Sequence, residues 1–485
     1  MKFEELIKDL EYERIIGEPP CEIVDVTDYS KEVVKGGLFF YSNGDNKESD
    51  KFLIEAERLG AVTVVTEREV KTALCQIIVK DLKRATSDIC KAFLNNPQED
   101  MRIIGVVGTN GKTTICHLLY SIFKNSGYEV GVTGTIGTYY KEFMRESSLT
   151  TLGTVKLYKL IKEMADSGVE ILFMEVSAHA IEQRRVDGIF FDALIFTNCT
   201  QDHLDYFGDM DNYAKVKKSL FSPTNCKYMI VNSDDKIGRE IINGSCGKVI
   251  SYGIDNPADV FAIDVSEKED GTEFVINLFD IIYGIKSNLL GEYNVYNILA
   301  ACTLSATFGI NVYEMASALE KLQPIEGRVE TVAQYKGARI VVDYAHTPDG
   351  LEKTLKSMKK ICKGLIICVF GCGGNREKEK RPIMGEISGE IADFTILTSD
   401  NPRFEDPYSI IKEIENGIKK VTRKYLTVND RETAIRYALD LSGEGDIVVI
   451  AGKGAEKYQE ILGQKRFFSD REVVLRYISN KGDKN

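Results

Sequence analysis

Gly105-Val-Val-Gly108-Thr-Asn-Gly111-Lys112-Thr113-Thr114 follows an apolar run ending at Val107 and opens a helical pattern. Glycines at that junction free backbone N–H groups, and the start of a helix adds its dipole. The stretch therefore predicts a concave anion site of the phosphate-loop kind. Lys112 and Thr113 stand where an ammonium and a Mg²⁺-binding hydroxyl are needed, with Gly108, Thr109, Asn110, Gly111 and Thr114 completing the cradle. Val106 occupies the place of the first glycine in the usual spacing, so Gly105 comes one residue early. Hydrolysis of ATP or GTP is the reading; the plain alternative is a strand-to-helix turn with no ligand.

Outward from this stretch, strand-like runs at 103–107, 130–133, 171–176, 193–197 and 229–232 alternate with helical patterns, which predicts a parallel sheet with crossover helices. Residues 260–290 read as a hairpin turning at Glu269-Asp270-Gly271, followed by a helix over 293–308. After Leu322-Gln323-Pro324 the strand–helix rhythm restarts, with strands at 339–342, 365–370, 395–398, 425–428 and 447–450, as in a doubly wound, Rossmann-like domain. Ahead of the loop, short strands at 37–41, 61–66 and 76–79 form a small α/β unit that ends at the breaker Asn95-Asn96-Pro97. At 485 residues, three α/β domains are expected: 1–98, a central P-loop-type domain with a mixed or parallel sheet at 99–326, and 327–485.

The balance of 62 Lys+Arg against 74 Asp+Glu, net −12, argues against nucleic acid or an anionic membrane as partner. Eleven cysteines without a CxxC pair imply neither a zinc site nor a disulfide framework, and point to a reducing compartment. No apolar run approaches the roughly 18 to 20 residues that span a bilayer. The start, Met1-Lys-Phe-Glu-Glu-Leu-Ile-Lys, is unlike a signal peptide, so a cytoplasmic, soluble monomer is expected. The tail from Asn480 reads as disordered.

Of four histidines, His117 lies inside the first helix, and His179, His203 and His346 sit in polar clusters at strand ends. Glu175 ends the apolar run 171–174, where a carboxylate can hold Mg²⁺ or cap a helix. The next strand leads into Thr197-Asn-Cys-Thr-Gln-Asp202-His203-Leu-Asp205, and two donors on one rim suggest a second metal.

These motifs, with Leu290-Gly-Glu-Tyr-Asn294-Val-Tyr-Asn297, Gly327-Arg328, Asp343-Tyr-Ala-His346-Thr-Pro and Asp400-Asn401-Pro402-Arg403, resemble in order and spacing the Mur ligases, and among them the tripeptide synthetases of peptidoglycan precursor synthesis. The resemblance covers essentially the whole chain. It implies an ATP-dependent amide ligase that activates a carboxylate as an acyl phosphate and captures it with an amino group. The implied substrates are UDP-N-acetylmuramoyl-L-alanyl-D-glutamate and meso-diaminopimelate. Lys112 and Arg328, the latter engaged on domain closure, would face the γ-phosphate, and Asn294, Asn297 and Asp343 the nucleotide. Thr113, Glu175, His203 and Lys217, carbamylated by CO₂, would hold Mg²⁺. Ser42, Thr150, Thr151, Ser177, Gln183 and Arg185 would bind the UDP substrate. Arg376, the Asp400–Arg403 motif, Gly452 and Glu456 would bind the amino acid, with the Arg403 fork on its distal carboxylate. L-Lysine lacks that group and would leave Arg403 unpaired.

The chain departs from the family pattern mainly on the UDP side. Asp28-Tyr29-Ser30 stands for Asp-Ser-Arg, Glu48-Ser49-Asp50-Lys51-Phe52 lacks the glycine turn, and Leu152-Gly153, Ala178, Phe207 and Ala455 replace usual residues. These leave open a paralogue that takes another carboxylate acceptor or L-lysine. A nucleotide-binding regulator without turnover is the rival of another class. Folylpolyglutamate synthetase shares the layout after residue 98 but not the domain ahead of it.

Overall fold

The computed structural model describes residues 1–42, 49–147 and 149–482. Glu48 of the altered turn and residues 483–485 of the tail lie outside them. The chain forms two compact units, one from 1–105, 128–193 and 222–227, the other from 106–127, 194–221 and 228–485.

The first unit opens with a five-stranded sheet in the order Arg14–Ile16, Cys75–Ile78, Thr63–Thr66, Leu38–Phe40, Val26–Thr27, antiparallel only at its first pair. Its central strands read Thr-Val-Val-Thr and Cys-Gln-Ile-Ile and are buried at every residue, as parallel strands covered on both faces are. Phe39, Tyr41, Leu53, Ala56 and Val64 share one core of this sheet. The breaker at 95–97 turns through left-handed Asn95 and Asn96 (φ 60° and 50°). The unit also pairs Ile171–Val176 in parallel with Val130–Thr133, onto which Thr138–Tyr140 and Phe143–Arg145 fold antiparallel. The last two strands escaped the sequence reading, being three residues each.

In the second unit, helix Lys112–Asn125 follows the phosphate loop. Strands Cys226–Asn232, Lys248–Gly253 and Val260–Lys268 run parallel, and Val260–Lys268, Gly271–Leu278 and Ile281–Ser287 form an antiparallel meander. The expected hairpin is thus one strand longer than predicted. Helix Glu292–Thr307 is buried without a break from Asn297 to Ser305, so it runs through the interior rather than along a surface.

The last third is a six-stranded sheet ordered Glu330–Tyr335, Ala338–Asp343, Ile447–Ala451, Ile366–Phe370, Phe394–Leu397, Tyr425–Thr427, parallel except for its first strand. Alternate residues feed two cores. Val341, Cys368, Ile447 and Val449 enter one, and Ile340, Ile367, Val448 and Ile450 the other. Helices therefore cover both faces, and the turns after the carboxyl ends of its strands carry Tyr344–Thr347, Gly371–Arg376, Ser399–Arg403 and Gly452–Glu456.

Candidate active site

The phosphate loop is shaped by what packs on it. A Cβ at Gly108 would lie 1.8 Å from Thr197 Oγ1, and one at Gly111 (φ 92°) 2.4 Å from Asn297 Oδ1, so only glycine permits these approaches. Asn110 is fixed on three sides: its N–H donates to Asn198 Oδ1 (3.0 Å), its carbonyl accepts from Thr197 Oγ1 (2.6 Å), and its Nδ2 donates to Asp349 Oδ2 (2.9 Å). Lys112 Nζ donates to the carbonyls of Gly108 and Thr109, both at 2.9 Å. Thr113 Oγ1 accepts from Arg328 Nη2 at 2.8 Å, and the Arg328 guanidinium lies 4.4 Å from the centre of the Tyr344 ring. The half-buried His117 is pushed down to about 4 by desolvation and then by the Arg328 charge, which marks it as a neutral helix residue.

Lys217 is 0 % exposed. Its Nζ donates to Thr109 Oγ1 (2.7 Å) and Asn198 O (3.4 Å) and sits 3.9 Å from the centre of the Tyr213 ring, one helical turn back on Met210–Ser219. Burial pulls its pKa down to about 7, which leaves a large neutral fraction near neutral pH. Phe221 lies past the helix end. Lys215 is exposed and Lys218 pairs with Glu240 at the surface.

Asp202 is the hub of the neighbouring turn. Its carboxylate lies 3.2 Å from His203 Nε2, 3.8 Å from His346 Nε2 and 3.6 Å from Lys380 Nζ. Burial works to raise its pKa, but the His346 hydrogen bond and the Lys380 and histidine charges outweigh it and hold the carboxyl well below its usual range. Beside it, Gln201 Nε2 donates to the buried Glu377. The sequence motif around Asp202 does not announce this hub role, and Lys380, Glu377 and Asp349 carry no local signal because they lie far along the chain. Asn294 and Asn297 are joined by a 2.8 Å hydrogen bond beside Gly111. Both Asp343 oxygens are engaged, by Val329 N (2.8 Å), Ala345 N (3.0 Å) and Thr354 Oγ1 (3.0 Å), so Asp343 fastens the segment after Arg328 to its strand.

In the first unit, Glu175 is 2 % exposed and accepts from Thr135 N (2.9 Å) and Thr135 Oγ1 (3.0 Å). The expected substrate residues gather around it. Thr150 meets Thr135 (3.1 Å), Thr151 Oγ1 donates to Glu175 O (2.9 Å) and to Ser177 Oγ (3.3 Å), and Arg185 reaches Thr151 O (2.8 Å) and Gln183 Oε1 (3.0 Å). Ser42 is exposed and no described contact joins it to this group. Burial raises the Asp28 carboxyl.

The turns of the last sheet form a second cluster. Asn401 Nδ2 donates to Glu456 Oε2 (2.9 Å), and Lys453, 0 % exposed, donates to Asn401 Oδ1 (3.1 Å) and Glu456 Oε2 (3.0 Å). Arg403 Nη1 donates to Gly374 O (2.8 Å), and Arg376, in the same turn as Gly374, is exposed. Arg381, 0 % exposed, clasps the two turns, donating to Glu405 (2.9 and 3.0 Å), Glu413 (2.8 Å) and Gly373 O (3.2 Å).

Among the described residues no group of three or more His, Cys, Asp or Glu converges as a metal site. The donor chemistry nevertheless suits Mg²⁺, a hard cation that takes hydroxyl, carboxylate and water oxygens. Thr113 Oγ1 keeps a lone pair beyond its Arg328 bond, and a carbamate on Lys217 would be a further oxygen donor. No helix among the described residues is long and apolar enough to cross a membrane.

The Mur ligase middle domain matches residues 106–305, and the Mur ligase glutamate ligase domain matches 327–454. UDP-N-acetylmuramoyl-L-alanyl-D-glutamate–2,6-diaminopimelate ligase 1 of Clostridium acetobutylicum is 40 % identical over 99 % of both chains. The ligase of the same name from Halalkalibacterium halodurans is 38 % identical, again over 99 % of each. A solved structure of such a ligase superposes with a TM-score of 0.70 at 30 % identity, covering 99 % of both chains. Fold and site define an ATP-dependent ligase. The chain belongs to the Mur ligase family.

Proposed function

We propose that this protein joins meso-diaminopimelate to the D-glutamyl carboxylate of UDP-N-acetylmuramoyl-L-alanyl-D-glutamate, with cleavage of ATP, in peptidoglycan precursor synthesis. The observation that carries the reading is end-to-end similarity to ligases named for that reaction, together with a complete Asp400–Arg403 motif held among the carboxyl-end turns of the last sheet. In this reading the chain works as three domains, 1–98 for the UDP substrate, 99–326 for ATP and 327–485 for the amino acid, in a cytoplasmic monomer.

In this reading the backbone of Gly108 to Thr114 binds the phosphates, and Lys112 turns its ammonium from the loop carbonyls to the phosphoryl oxygens. Arg328, already at Thr113, meets the γ-phosphate, where charge develops as the acceptor carboxylate attacks. The oxygens of Thr113, Glu175 and carbamylated Lys217 would hold Mg²⁺, with His203 as the nitrogen member of the set; Mg²⁺, when bound, supplies neutralising charge on the phosphoryl oxygens. Only the neutral amine of Lys217 adds CO₂, and its burial supplies that form. The acyl phosphate is then captured by the amino group of diaminopimelate, whose distal carboxylate lies on Arg403 and whose distal ammonium lies on Glu456. Thr150, Thr151, Ser177, Gln183 and Arg185 hold the acceptor.

The test is phosphate release with Mg²⁺-ATP and the UDP-dipeptide, with meso-diaminopimelate and L-lysine supplied in parallel. Stimulation by diaminopimelate is expected. Stimulation by no amino acid would shift the reading to a different carboxylate acceptor, the alternative favoured by the altered Asp28-Tyr29-Ser30.

A further inference from the structure

The Asp400–Arg403 motif alone implies rejection of lysine, because an amino acid without a second carboxylate would leave the guanidinium unpaired, a penalty that reaches roughly 10⁴-fold when the group is fully buried. In this chain the guanidinium already has a counter-ion. Arg403 Nε lies 3.4 Å from Glu460 Oε2, both side chains being about one-fifth exposed, while Nη1 donates to Gly374 O at 2.8 Å. Glu460 belongs to the hairpin Tyr458–Ile461 and Gln464–Phe467, which is stitched to the motif by main-chain bonds: Arg403 N to Glu460 O (3.0 Å) and Leu462 N to Arg403 O (2.7 Å). Glu460 N in turn donates to Asn401 Oδ1 (2.9 Å).

Resting on the reading above, we propose that Glu460 sets amino-acid specificity by acting as the resident counter-ion of Arg403, so that it competes with the substrate's distal carboxylate and lowers discrimination against lysine. With lysine bound, Arg403 keeps its pair and the unpaired-charge penalty is reduced. With diaminopimelate bound, two carboxylates crowd one guanidinium, which weakens the preferred substrate. Both effects act in the same direction on the ratio of the two substrates. The attachment of the hairpin uses backbone atoms of Glu460, so changing its side chain removes the charge and leaves the Arg403 loop tethered.

The experiment compares the full-length wild type with Glu460→Gln and Glu460→Leu in steady-state phosphate release, with diaminopimelate and with lysine. Lysine is also run as an inhibitor of the diaminopimelate reaction, and KM for ATP serves as the check on folding. The diaminopimelate-to-lysine ratio of kcat/KM is expected to rise at least about threefold in both variants, the scale of a partly exposed ion pair, through a lower KM for diaminopimelate with kcat and KM for ATP little changed. A ratio that stays put or falls in both variants overturns the proposal, a fall showing instead that Glu460 orients Arg403 for substrate. A wild type that neither turns over nor is inhibited by millimolar lysine overturns it too. A wild type inert with diaminopimelate removes the underlying reading and this inference together, whereas an active one with an unmoved ratio removes the inference alone.

Discussion

Lys217 has little in common with a surface lysine. It sits fully buried against a threonine hydroxyl, a carbonyl and a tyrosine face, and burial brings its pKa to about 7. A structural lysine gains nothing from such a neighbourhood, since desolvation disfavours the ammonium. A lysine that must be neutral to take up CO₂ does gain from it. Lys217→Ala is therefore expected to lower amide formation by about 10²- to 10³-fold, the scale of losing one preorganised charge, while ADP affinity measured by calorimetry changes little. Partial recovery with added formate or acetate, a carboxylate small enough to stand in for the carbamate, is part of the same expectation. An unchanged rate in the alanine variant would remove Lys217 from the chemistry.

At the scale of elements, the Arg381–Glu405 clasp sets the spacing between the turn that carries Arg376 and the loop that carries Arg403. Arg381 pushes the Glu405 carboxyl down from 4.5 to about 2. A carboxyl depressed in the folded state contributes stability that is complete above its unfolded pKa and is lost as pH falls toward the folded one. The melting temperature of the wild type should thus fall between pH 4.5 and pH 2, and Glu405→Gln should be less stable at pH 7 yet lose less over that acid interval. Equal slopes for the two proteins would show that the clasp carries no such linkage. Elements also explain what was legible from sequence. The three central strands of the last sheet are continuous apolar runs because both faces are covered, and their predicted positions differ from the observed ones by a residue, whereas the part-buried edge strand Glu330–Tyr335 shows no such run and was not predicted. The hairpin holding Glu460 was invisible, since Gln464–Phe467 is exposed at every residue and shows no alternation. Arg403 adopts φ 51°, which no local pattern announced. The phosphate loop was readable because its parts are adjacent in sequence. The bonds that place Asn110 on Asp349 and Gln201 on Glu377 span 239 and 176 residues and follow from tertiary packing alone.

For the molecule as a whole, all eleven cysteines are free thiols. Burial pushes Cys302, Cys368 and Cys372 up to about 12, so they carry almost no thiolate at neutral pH. A thiol reagent should therefore modify Cys21 and Cys246, the two exposed positions, quickly in the native protein. Cys199 and Cys362 should follow more slowly, and the remainder should react only after denaturation, with the melting temperature insensitive to reductant. Rapid labelling of more than four thiols in native protein would contradict the packing described. The hairpin beside the Arg403 loop has a different kind of consequence. Because main-chain atoms fasten it to the Arg403 loop, point mutations among its side chains leave the attachment whole. Side-chain changes in the hairpin can therefore alter what surrounds Arg403 in small steps, whereas Gly108, Gly111 and Asn110 of the phosphate loop are locked by side-chain fit and leave no room for such steps.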